Sequence, residues 1–369
     1  MHLYVHVPFC RRRCSYCDFA IAVRRSVPGA RFVDCVLQER AGAEARERAP
    51  TALDTLYLGG GTPSLLSPDV LARLLDALTP APAGEVTLEV NPDDVSRGAA
   101  EAWVAMGITR FSVGVQSLDR DALAWMRRGH DPRQALTALE TLRDAGAAHL
   151  SADIIFGLPG HRSGQPVEDA RRVVRTGVDH LSAYGLTVEP GTPLGKWQGA
   201  GRRVKAGDQR YAREFLALHE GLAEEGFDHY EVSNYARPGG YSRHNRAYWA
   251  SRPVVGLGPA AHSHVDGVRW WNLRDWARYD EAMAAGRSPV AGREVLTARE
   301  RALEAIYLGL RTSEGLGFPA VDTLDEAFLA RVLKRGWLAE RDGRVVATLE
   351  GWLRLDDLVA GLATWPRSG

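Results

Sequence analysis

Six short apolar runs, separated by stretches with helical periodicity, dominate the first half of the sequence. The runs are LYVHV (3–7), TLYLG (55–59), EVTLEV (85–90), RFSVGV (110–115), LSADIIF (150–156) and HLSAYGL (180–186). Helical patterns lie between several of them, at Pro68 to Leu78, Leu118 to Arg127 and Pro132 to Ala145. Strands and helices that alternate in this way form parallel sheets with crossover helices. We therefore predict an α/β fold, a partial (β/α)6 barrel, with an open doubly wound sheet as the alternative.

Polar and glycine-rich residues cluster where these strands end. The second run leads into GGGTPS (59–64), the third ends at Glu89, the fourth is followed by Gln116 and the fifth contains Asp153. In a β/α barrel the carboxyl ends of the strands build the ligand site, and glycine lets the backbone approach a ligand closely. The pattern predicts a cofactor site at these strand ends. The alternative for each residue is a tight turn or a satisfied buried polar group.

The last part of the chain has a different pattern of predicted elements: an amphipathic helix is followed by a helix, a hairpin and another helix. Asp342-Gly343 is a hairpin signal between two short strands. We predict a winged-helix-like α+β domain over 293–369 that acts as a lid or docking module. Lysine plus arginine and aspartate plus glutamate balance at 46 each, so no basic field recruits nucleic acid.

Neither a signal peptide nor a transmembrane run is evident in the sequence. No stretch approaches the roughly 18 apolar residues that would span a bilayer. We therefore expect a cytoplasmic, reducing environment, in which clustered cysteines indicate metal or redox chemistry before disulfides.

Cys10, Cys14 and Cys17, three of the four cysteines, lie within eight residues. The first interpretation is a disulfide, which is weak because pairing two of the three thiols leaves one unpaired. A zinc site wants four ligands, and Cys35 lies in a helical pattern where a lone cysteine is usually a small buried hydrophobe. The third interpretation is a [4Fe–4S] cluster, normally held by four thiolates, with one iron left open for a ligand.

The C-x3-C-x2-C spacing, with Tyr16 before the third cysteine, resembles the signature of the radical S-adenosylmethionine (SAM) superfamily. The resemblance implies that the three thiolates hold a [4Fe–4S] cluster whose open iron chelates SAM. It implies that the glycine run with Thr62 holds the SAM amino group, and that other matching positions contact its carboxylate or ribose. The cofactor-binding positions implied are Tyr4, Tyr16, Gly60, Gly61, Thr62, Glu89, Gln116, Arg128 and Asp153, with Arg127 as an alternative to Arg128.

Further motifs resemble the oxygen-independent coproporphyrinogen III oxidase lineage and, within it, the HemW branch of haem chaperones. They are YVHVPFC, LGGGTPS, FSVGVQS, DIIFGLPG, LTVEPGTP and EVSNYARPG. The decarboxylating enzymes of this lineage carry a fourth cysteine two residues after the third, where this chain has Phe19. The sequence CDF matches the chaperone branch and puts coproporphyrinogen oxidation in doubt.

SRHNRAYW (242–249) contains the H-N-x-x-Y-W motif that HemW proteins tie to haem binding. Imidazole is a common axial ligand of haem iron and aromatic rings pack on the macrocycle. The resemblance thus implies haem contacts from His244, Asn245, Tyr248 and Trp249. His262 and His264 are secondary candidates. The tryptophans at 249, 270, 271 and 276 form an aromatic cluster of a kind more typical of an interdomain core than of a ligand surface, and they are compatible with both.

These patterns lead to one preferred function and two alternatives. The preferred function is a haem chaperone that binds a [4Fe–4S] cluster, SAM and haem and delivers haem to a client haemoprotein, with membrane contact only through the client. The alternatives are a coproporphyrinogen III oxidase, which would need a flavodoxin or ferredoxin electron donor, and a non-redox zinc protein. We expect a barrel over 1–235, a linker and haem-binding segment over 236–292, and the C-terminal domain over 293–369.

Overall fold

The computed structural model describes residues 1–42, 53–79, 84–317 and 324–363. Within those ranges, no helix is long and apolar enough to cross a membrane. The strands are, in chain order, β1 (His2–Val7), β2 (Phe9–Cys10), β3 (Ala22–Val23), β4 (Thr55–Gly60), β5 (Glu85–Val90), β6 (Arg110–Gln116), β7 (His149–Phe156), β8 (His180–Gly185), β9 (Asp228–Glu231), β10 (Asn234–Ala236), β11 (Val254–Leu257), β12 (His262–Val265), β13 (Val268–Asn272), β14 (Val290–Val295), β15 (Leu338–Arg341) and β16 (Arg344–Ala347).

Most of the helices begin at a side chain that caps the first free N–H groups. Asp131, for example, accepts from the backbone N–H of Gln134, whose side chain in turn accepts from the N–H of Asp131. The helices are, in chain order, α1 (Gly29–Ala41), α2 (Pro68–Leu78), α3 (Arg97–Ala105), α4 (Arg120–Trp125), α5 (Pro132–Asp144), α6 (Gln165–Val174), α7 (Pro193–Gly199), α8 (Asp208–Glu224), α9 (Arg243–Trp249), α10 (Trp276–Ala284), α11 (Ala298–Arg311), α12 (Glu326–Lys334), α13 (Leu349–Trp352) and α14 (Leu355–Leu362).

The six predicted strands form the parallel centre of one sheet. Its order is β14-β13-β12-β11-β1-β4-β5-β6-β7-β8-β10-β9, with β1 and β4 to β8 all parallel to one another. Strand β8 pairs with the antiparallel β10, so the described strands curve around an interior without closing on β1. The partial α/β barrel is confirmed. We call the carboxyl ends of the parallel strands the upper end and their amino ends the lower end.

Side chains alternate along most of each central strand. In β5, Val86 and Leu88 belong to the apolar core, whereas Thr87 and Glu89 line an interior cavity. A strand places successive side chains on opposite faces, and every parallel strand here is covered by helices on its outer face. The outer face therefore holds the hydrophobic core and the inner face carries polar groups.

The segment 236–292 contributes α9, β11 to β13, α10 and part of β14. Strand β11 pairs in parallel with β1, and β12 to β14 continue the sheet antiparallel. Farther on, β15 and β16 form the expected hairpin, with positive φ at Asp342 and Gly343, and helices flank it on both sides. The winged-helix-like arrangement agrees with the sequence, while the three domain boundaries stay predictions.

Candidate functional site

The cysteine loop lies at the upper end, directly after β1. Its backbone is fixed by Ser15, whose N–H donates to Met126 O at 3.1 Å and whose carbonyl accepts from Leu194 N–H at 3.0 Å. The Ser15 hydroxyl also donates to Trp125 O at 3.1 Å. These bonds tie the loop to the end of α4 and the start of α7.

All three loop thiols line the same interior cavity. The Thr62 hydroxyl donates to Cys10 Sγ at 3.4 Å, and Arg128 Nη1 donates to Cys14 Sγ at 3.5 Å. Burial raises the pKa of Cys17 to about 11 and raises that of Cys10 as well, so both are thiols at neutral pH until a cationic centre displaces the proton.

The fourth cysteine, Cys35, lies away from the other three. Cys35 is buried on α1 and its thiol contacts Asp280 Oδ1 at 3.5 Å. In the part of the chain that the structure describes, no group of three or more His, Cys, Asp and Glu side chains converges to hold a single ion. The donor set in the cavity is thus three thiols in one loop, which suits a multi-iron cluster better than closed tetrahedral zinc.

The cavity has a volume of about 450 Å3 and collects most of the predicted site residues; we call it the upper cavity. This volume suits a small-molecule site, roughly 300–1,000 Å3. The predicted residues that line it are Cys10, Cys14, Tyr16, Cys17, Gly60, Gly61, Thr62, Glu89, Gln116, Arg128, Asp153 and Asn245.

Two carboxylates face each other inside the upper cavity. Glu89 accepts from Tyr57 OH at 2.9 Å and from Gly60 N–H at 3.0 Å, while Asp153 accepts from Ser112 OH at 3.2 and 3.3 Å. Burial, with the Asp153 charge added, raises the pKa of Glu89 to about 7, and burial raises the pKa of Asp153 to about 6. The pair therefore favours a ligand that brings positive charge or hydroxyl donors.

Arg128 and not Arg127 lines the upper cavity. Arg128 Nη2 donates to Asn91 Oδ1 at 2.7 Å and to Gly114 O at 2.8 Å. Its Nε is buried without a hydrogen-bond partner among the described residues, as is the hydroxyl of Thr87, which also lines the cavity. Arg127 stacks over the Trp197 ring at 5.4 Å instead. Two unpartnered buried polar atoms in one cavity fit a polar ligand there.

The glycine run is required by close packing. Gly60 has φ +109°, and a Cβ there would lie 2.6 Å from the His6 ring. A Cβ at Gly59 would meet the Tyr57 ring at 2.8 Å and Glu89 Oε1 at 3.0 Å, so Gly59 leaves room for the Tyr57–Glu89 hydrogen bond although it does not line the cavity. The run shapes the wall, and its Gly60 N–H is already used by Glu89.

Four predicted residues do not line the upper cavity: Tyr4, His244, Tyr248 and Trp249. Tyr4 lies beneath it, with its hydroxyl 3.1 Å from His6 Nδ1. His244 is 1% exposed at the lower end, and its Nδ1 shares a hydrogen bond of 2.6 Å with Thr55 Oγ1. Its Nε2 is buried without a partner among the described residues.

The rest of the aromatic motif faces outward. Tyr248 is 37% exposed, and Trp249 lines a second, larger cavity below the barrel. The secondary candidates lie on β12, where His262 stacks on Trp271 with ring centroids 6.0 Å apart. Trp276 packs against Phe9 at 5.2 Å, so that tryptophan belongs to the core.

Sequence reasoning missed several residues of the upper cavity, namely Tyr57, Ser112, Ser182 and Tyr184. Tyr184 is 44% exposed inside the cavity. Residues two or four apart on a strand point to the same face of the sheet. Each missed residue pairs with a predicted site residue on the next strand or lies two positions from a residue that does, so this alternation was the signal that could have found it.

Comparisons with known proteins identify the family and the fold. Residues 4–173 match the model of the Radical SAM superfamily, and residues 296–354 match that of the HemN C-terminal domain. The fold is similar to that of coproporphyrinogen III oxidase (HemN) from Escherichia coli, with a TM-score of 0.84 and 20% identity over 99% of this chain and 90% of that one.

Similar full-length sequences carry the name haem chaperone HemW. The protein of that name from Mycobacterium tuberculosis (strain ATCC 25618 / H37Rv) is 37% identical over 98% of this chain and 94% of its own length. The one from Synechocystis is 34% identical over 89% of this chain and 82% of its own length. A mitochondrial relative from Danio rerio, radical S-adenosyl methionine domain-containing protein 1, is 34% identical over 85% of this chain and 73% of its own. The chain therefore belongs to the HemW family of radical SAM proteins.

Proposed function

We propose that this protein is a haem chaperone that binds a [4Fe–4S] cluster, SAM and haem and passes the haem to a client haemoprotein. The name shared by its relatives supports haem and a client as partners, and the radical SAM family implies the cluster and SAM. We propose a cytoplasmic location, with membrane contact only through the client.

Cys10, Cys14 and Cys17 would hold the cluster, and the upper cavity would hold SAM. When bound, the two together supply one-electron chemistry that amino acid side chains lack. The Glu89 and Asp153 carboxylates suit an ammonium or ribose hydroxyls, and Arg128 suits a carboxylate. Arg128 also contacts Cys14 Sγ, so the same side chain links ligand and cluster positions.

The residue at position 19 is the feature that favours the chaperone over the oxidase. Phe19 lines the mouth of the upper cavity and is 55% exposed, where the decarboxylating enzymes have their fourth cysteine. A large apolar side chain exposed there offers neither a thiol nor a hydrogen bond to a propionate substrate. It offers a surface on which an apolar partner can pack.

Haem would dock beside the segment 244–249, whose outward face includes Trp249. A direct role for His244 as axial ligand stays a prediction, because its ring is 1% exposed at the lower end. A separate site for haem is favoured by size: the upper cavity measures about 450 Å3, and SAM with the cluster would already occupy it.

The test is a turnover assay with a binding arm. The cluster is reconstituted anaerobically, and the protein is given reductant, SAM and coproporphyrinogen III while decarboxylated product is sought by mass. We expect no product from protein that carries about four irons per chain and binds SAM, together with saturable haem binding and transfer to an apo-haemoprotein. Product formation would establish the oxidase alternative, with a flavodoxin or ferredoxin as its natural donor.

The oxidase alternative is favoured by one observation, the likeness of fold to the E. coli enzyme. The decisive control is the Phe19→Cys variant, which restores the fourth cysteine of the decarboxylating enzymes. If only this variant forms product, the residue at position 19 separates the two functions. If neither forms product while both bind haem, the chaperone proposal stands unchanged.

A further inference from the structure

A second cavity of about 1240 Å3 lies below the barrel, between its lower end and the C-terminal domain; we call it the lower groove. It is lined by His219 of α8, by residues of β9 and α9, and by α11 with the segment that follows it. The residues used below are His219, Arg243, Trp249, Arg252 and Leu308. The lower groove shares none of its lining with the upper cavity.

Two histidines in the wall form a hydrogen-bonded chain with one possible arrangement of protons. His229 Nε2 lies 3.2 Å from Val232 O, which only accepts, so this nitrogen must carry a proton. His229 Nδ1 then accepts, and the proton in its 3.1 Å contact with His219 Nδ1 must belong to His219. In neutral His219, the remaining nitrogen, Nε2, is left with a free lone pair.

Packing holds this chain in place. The His229 ring stacks on Tyr235 with centroids 3.9 Å apart and meets the Trp352 ring edge at 4.5 Å. Burial lowers the pKa of His229 to about 3 and also lowers that of His219. Both rings are neutral at physiological pH, and no residue in the described ranges hydrogen-bonds to His219 Nε2. A half-buried imidazole oriented through its other nitrogen is the arrangement found in metal-binding histidines.

The rest of the lower groove suits an anionic, flat, apolar ligand. Three acidic groups line it: Asp54 is ion-paired with the N-terminal amine at 2.7 Å and Glu314 with Arg246 at 2.9 Å, whereas Asp228 accepts a hydrogen bond from Tyr241 OH at 2.5 Å. Arg243 and Arg252 are exposed and form no ion pair within the described residues. The groove therefore offers two unpaired cations.

An apolar wall completes the lower groove. Trp249 and Leu308 both line it, and the Arg311 guanidinium lies over the Trp249 ring at 4.3 Å from its centroid. Arg311 is itself held by Glu231 at 2.8 Å. The indole is thus fixed in the wall as an aromatic surface for a planar ligand.

We propose that the lower groove binds haem, with His219 Nε2 as the axial ligand of the iron and with Arg243 and Arg252 placed to pair with carboxylates of the porphyrin. The proposal rests on the proposed haem-chaperone function and names the site within it. In this proposal the haem iron is bound by His219, whose ring is half-buried and whose Nε2 has no hydrogen-bond partner among the described residues. His244 in the recognised motif instead becomes a positioning residue, since it anchors the start of α9 through Thr55.

The experiment is a titration of ferric haem into the full-length, cluster-loaded protein, read by Soret absorption and by the electron paramagnetic resonance of the haem iron. Wild type, His219→Ala, His244→Ala and His262→Ala are compared, the last because His262, exposed on β12, is a secondary candidate for haem contact. We expect His219→Ala to lose the nitrogen-ligated signal and to raise the Kd by roughly tenfold or more, and added imidazole to restore the signal. His262→Ala should match wild type.

The readouts separate this inference from the function it rests on. Absence of haem binding by wild type overturns the proposed function. Haem binding by wild type with an unchanged spectrum and Kd in His219→Ala overturns only the assignment of the ligand, as does loss of the ligated signal in His244→Ala alone. Iron content and thermal unfolding of each variant exclude misfolding, and His229→Phe, which keeps the ring packing, should weaken haem binding by about tenfold without abolishing it.

Discussion

The two ends of the barrel are built on opposite principles. The upper cavity is small, lined by consecutive strand ends, and confines two carboxylates whose pKa values burial raises to about 7 and about 6. The lower groove is nearly three times larger, open, and lined by helices far apart in sequence, with exposed arginines. A confined site tunes charge by excluding water, whereas an open one selects a large ligand by shape and a few anchors.

A buried network separates the two ends. Arg110 donates to Glu85 Oε2 at 2.9 Å, to Ser151 Oγ at 3.1 Å and to the carbonyls of Gly240 and Tyr241, both at 3.1 Å. Glu85 also accepts from His244 N–H at 3.1 Å, at the start of α9. This network forms the floor of the upper cavity and the support of the helix that carries Trp249 into the lower groove. The two sites are therefore separate in lining but joined in structure.

The largest effect should come from removing one cluster thiol, which tests whether the two sites function separately. Cys17→Ser should lower the iron content from about four per chain to near zero, because two thiolates do not hold the cluster. Haem affinity at the lower groove should stay within about twofold of wild type. Iron analysis and haem titration of the same preparation measure both.

The matched control is Cys35→Ser, which removes the fourth cysteine, buried on α1. It should keep its iron. Loss of haem binding in Cys17→Ser, with iron retained in Cys35→Ser, would mean that haem depends on the cluster and that the comparison of two separate sites is wrong.

A second prediction concerns the network that joins the sites. Arg110→Met should lower the free energy of unfolding by about 3–5 kcal/mol, because it leaves the Glu85 carboxylate buried and uncompensated; both side chains are 3% exposed or less. Urea unfolding measures the loss. Adding Glu85→Gln should recover part of it.

Arg97→Ala is the surface control for this variant. Arg97 pairs with Glu101 one helical turn away, in solvent, and such a pair contributes little to the free energy of unfolding because water screens it. Equal losses in Arg110→Met and Arg97→Ala would show that the network is not a support shared by the two ends.

The smallest expected effect is a pH dependence confined to the upper cavity. The pKa of Glu89 is raised to about 7 in the folded, ligand-free protein, so the folded state keeps a proton that the unfolded state releases at lower pH. Its contribution to stability is greatest in acid and declines as pH rises through 7. Glu89→Gln should remove roughly 2 kcal/mol of the decline between pH 5 and 8.

Urea unfolding of ligand-free wild type and Glu89→Gln across this pH range measures the difference. Glu314→Gln, at an exposed side chain of the lower groove, is the control and should leave the slope with pH as in wild type. A steeper slope in Glu89→Gln would contradict the sign of the burial effect.

The upper cavity could be predicted because its residues follow a local rule. Apolar outer positions and polar inner positions alternate within each strand, and strand ends meet at one edge, so Glu89, Gln116 and Asp153 were found without contacts. The strand limits agree with the sequence for the same reason. The choice between Arg127 and Arg128 needed the structure, since adjacent residues after a helix differ in direction, as did the cavity residues Tyr57, Ser112, Ser182 and Tyr184.

The lower groove could not be predicted, because nothing local defines it. His219 and His229 lie on a helix and the next strand, and their shared hydrogen bond depends on how the turn at Gly226 brings them together. The motif at 244–249 suggested one shared haem contact because its residues are adjacent in sequence. In a short helix that begins after Ser242, however, His244 is buried in the protein, Asn245 lines the upper cavity and Trp249 lines the lower groove.

The anchoring of Ser15 has a consequence for the lifetime of the protein. Because the cysteine loop is hydrogen-bonded through the backbone of Ser15 to the ends of α4 and α7, we expect it to stay ordered without iron and to lose little conformational entropy when metal binds. If oxygen destroys a bound cluster, we expect the cysteine loop to keep its conformation. Damage at this site would then be reversible, with repair requiring iron, sulfide and reductant but no refolding.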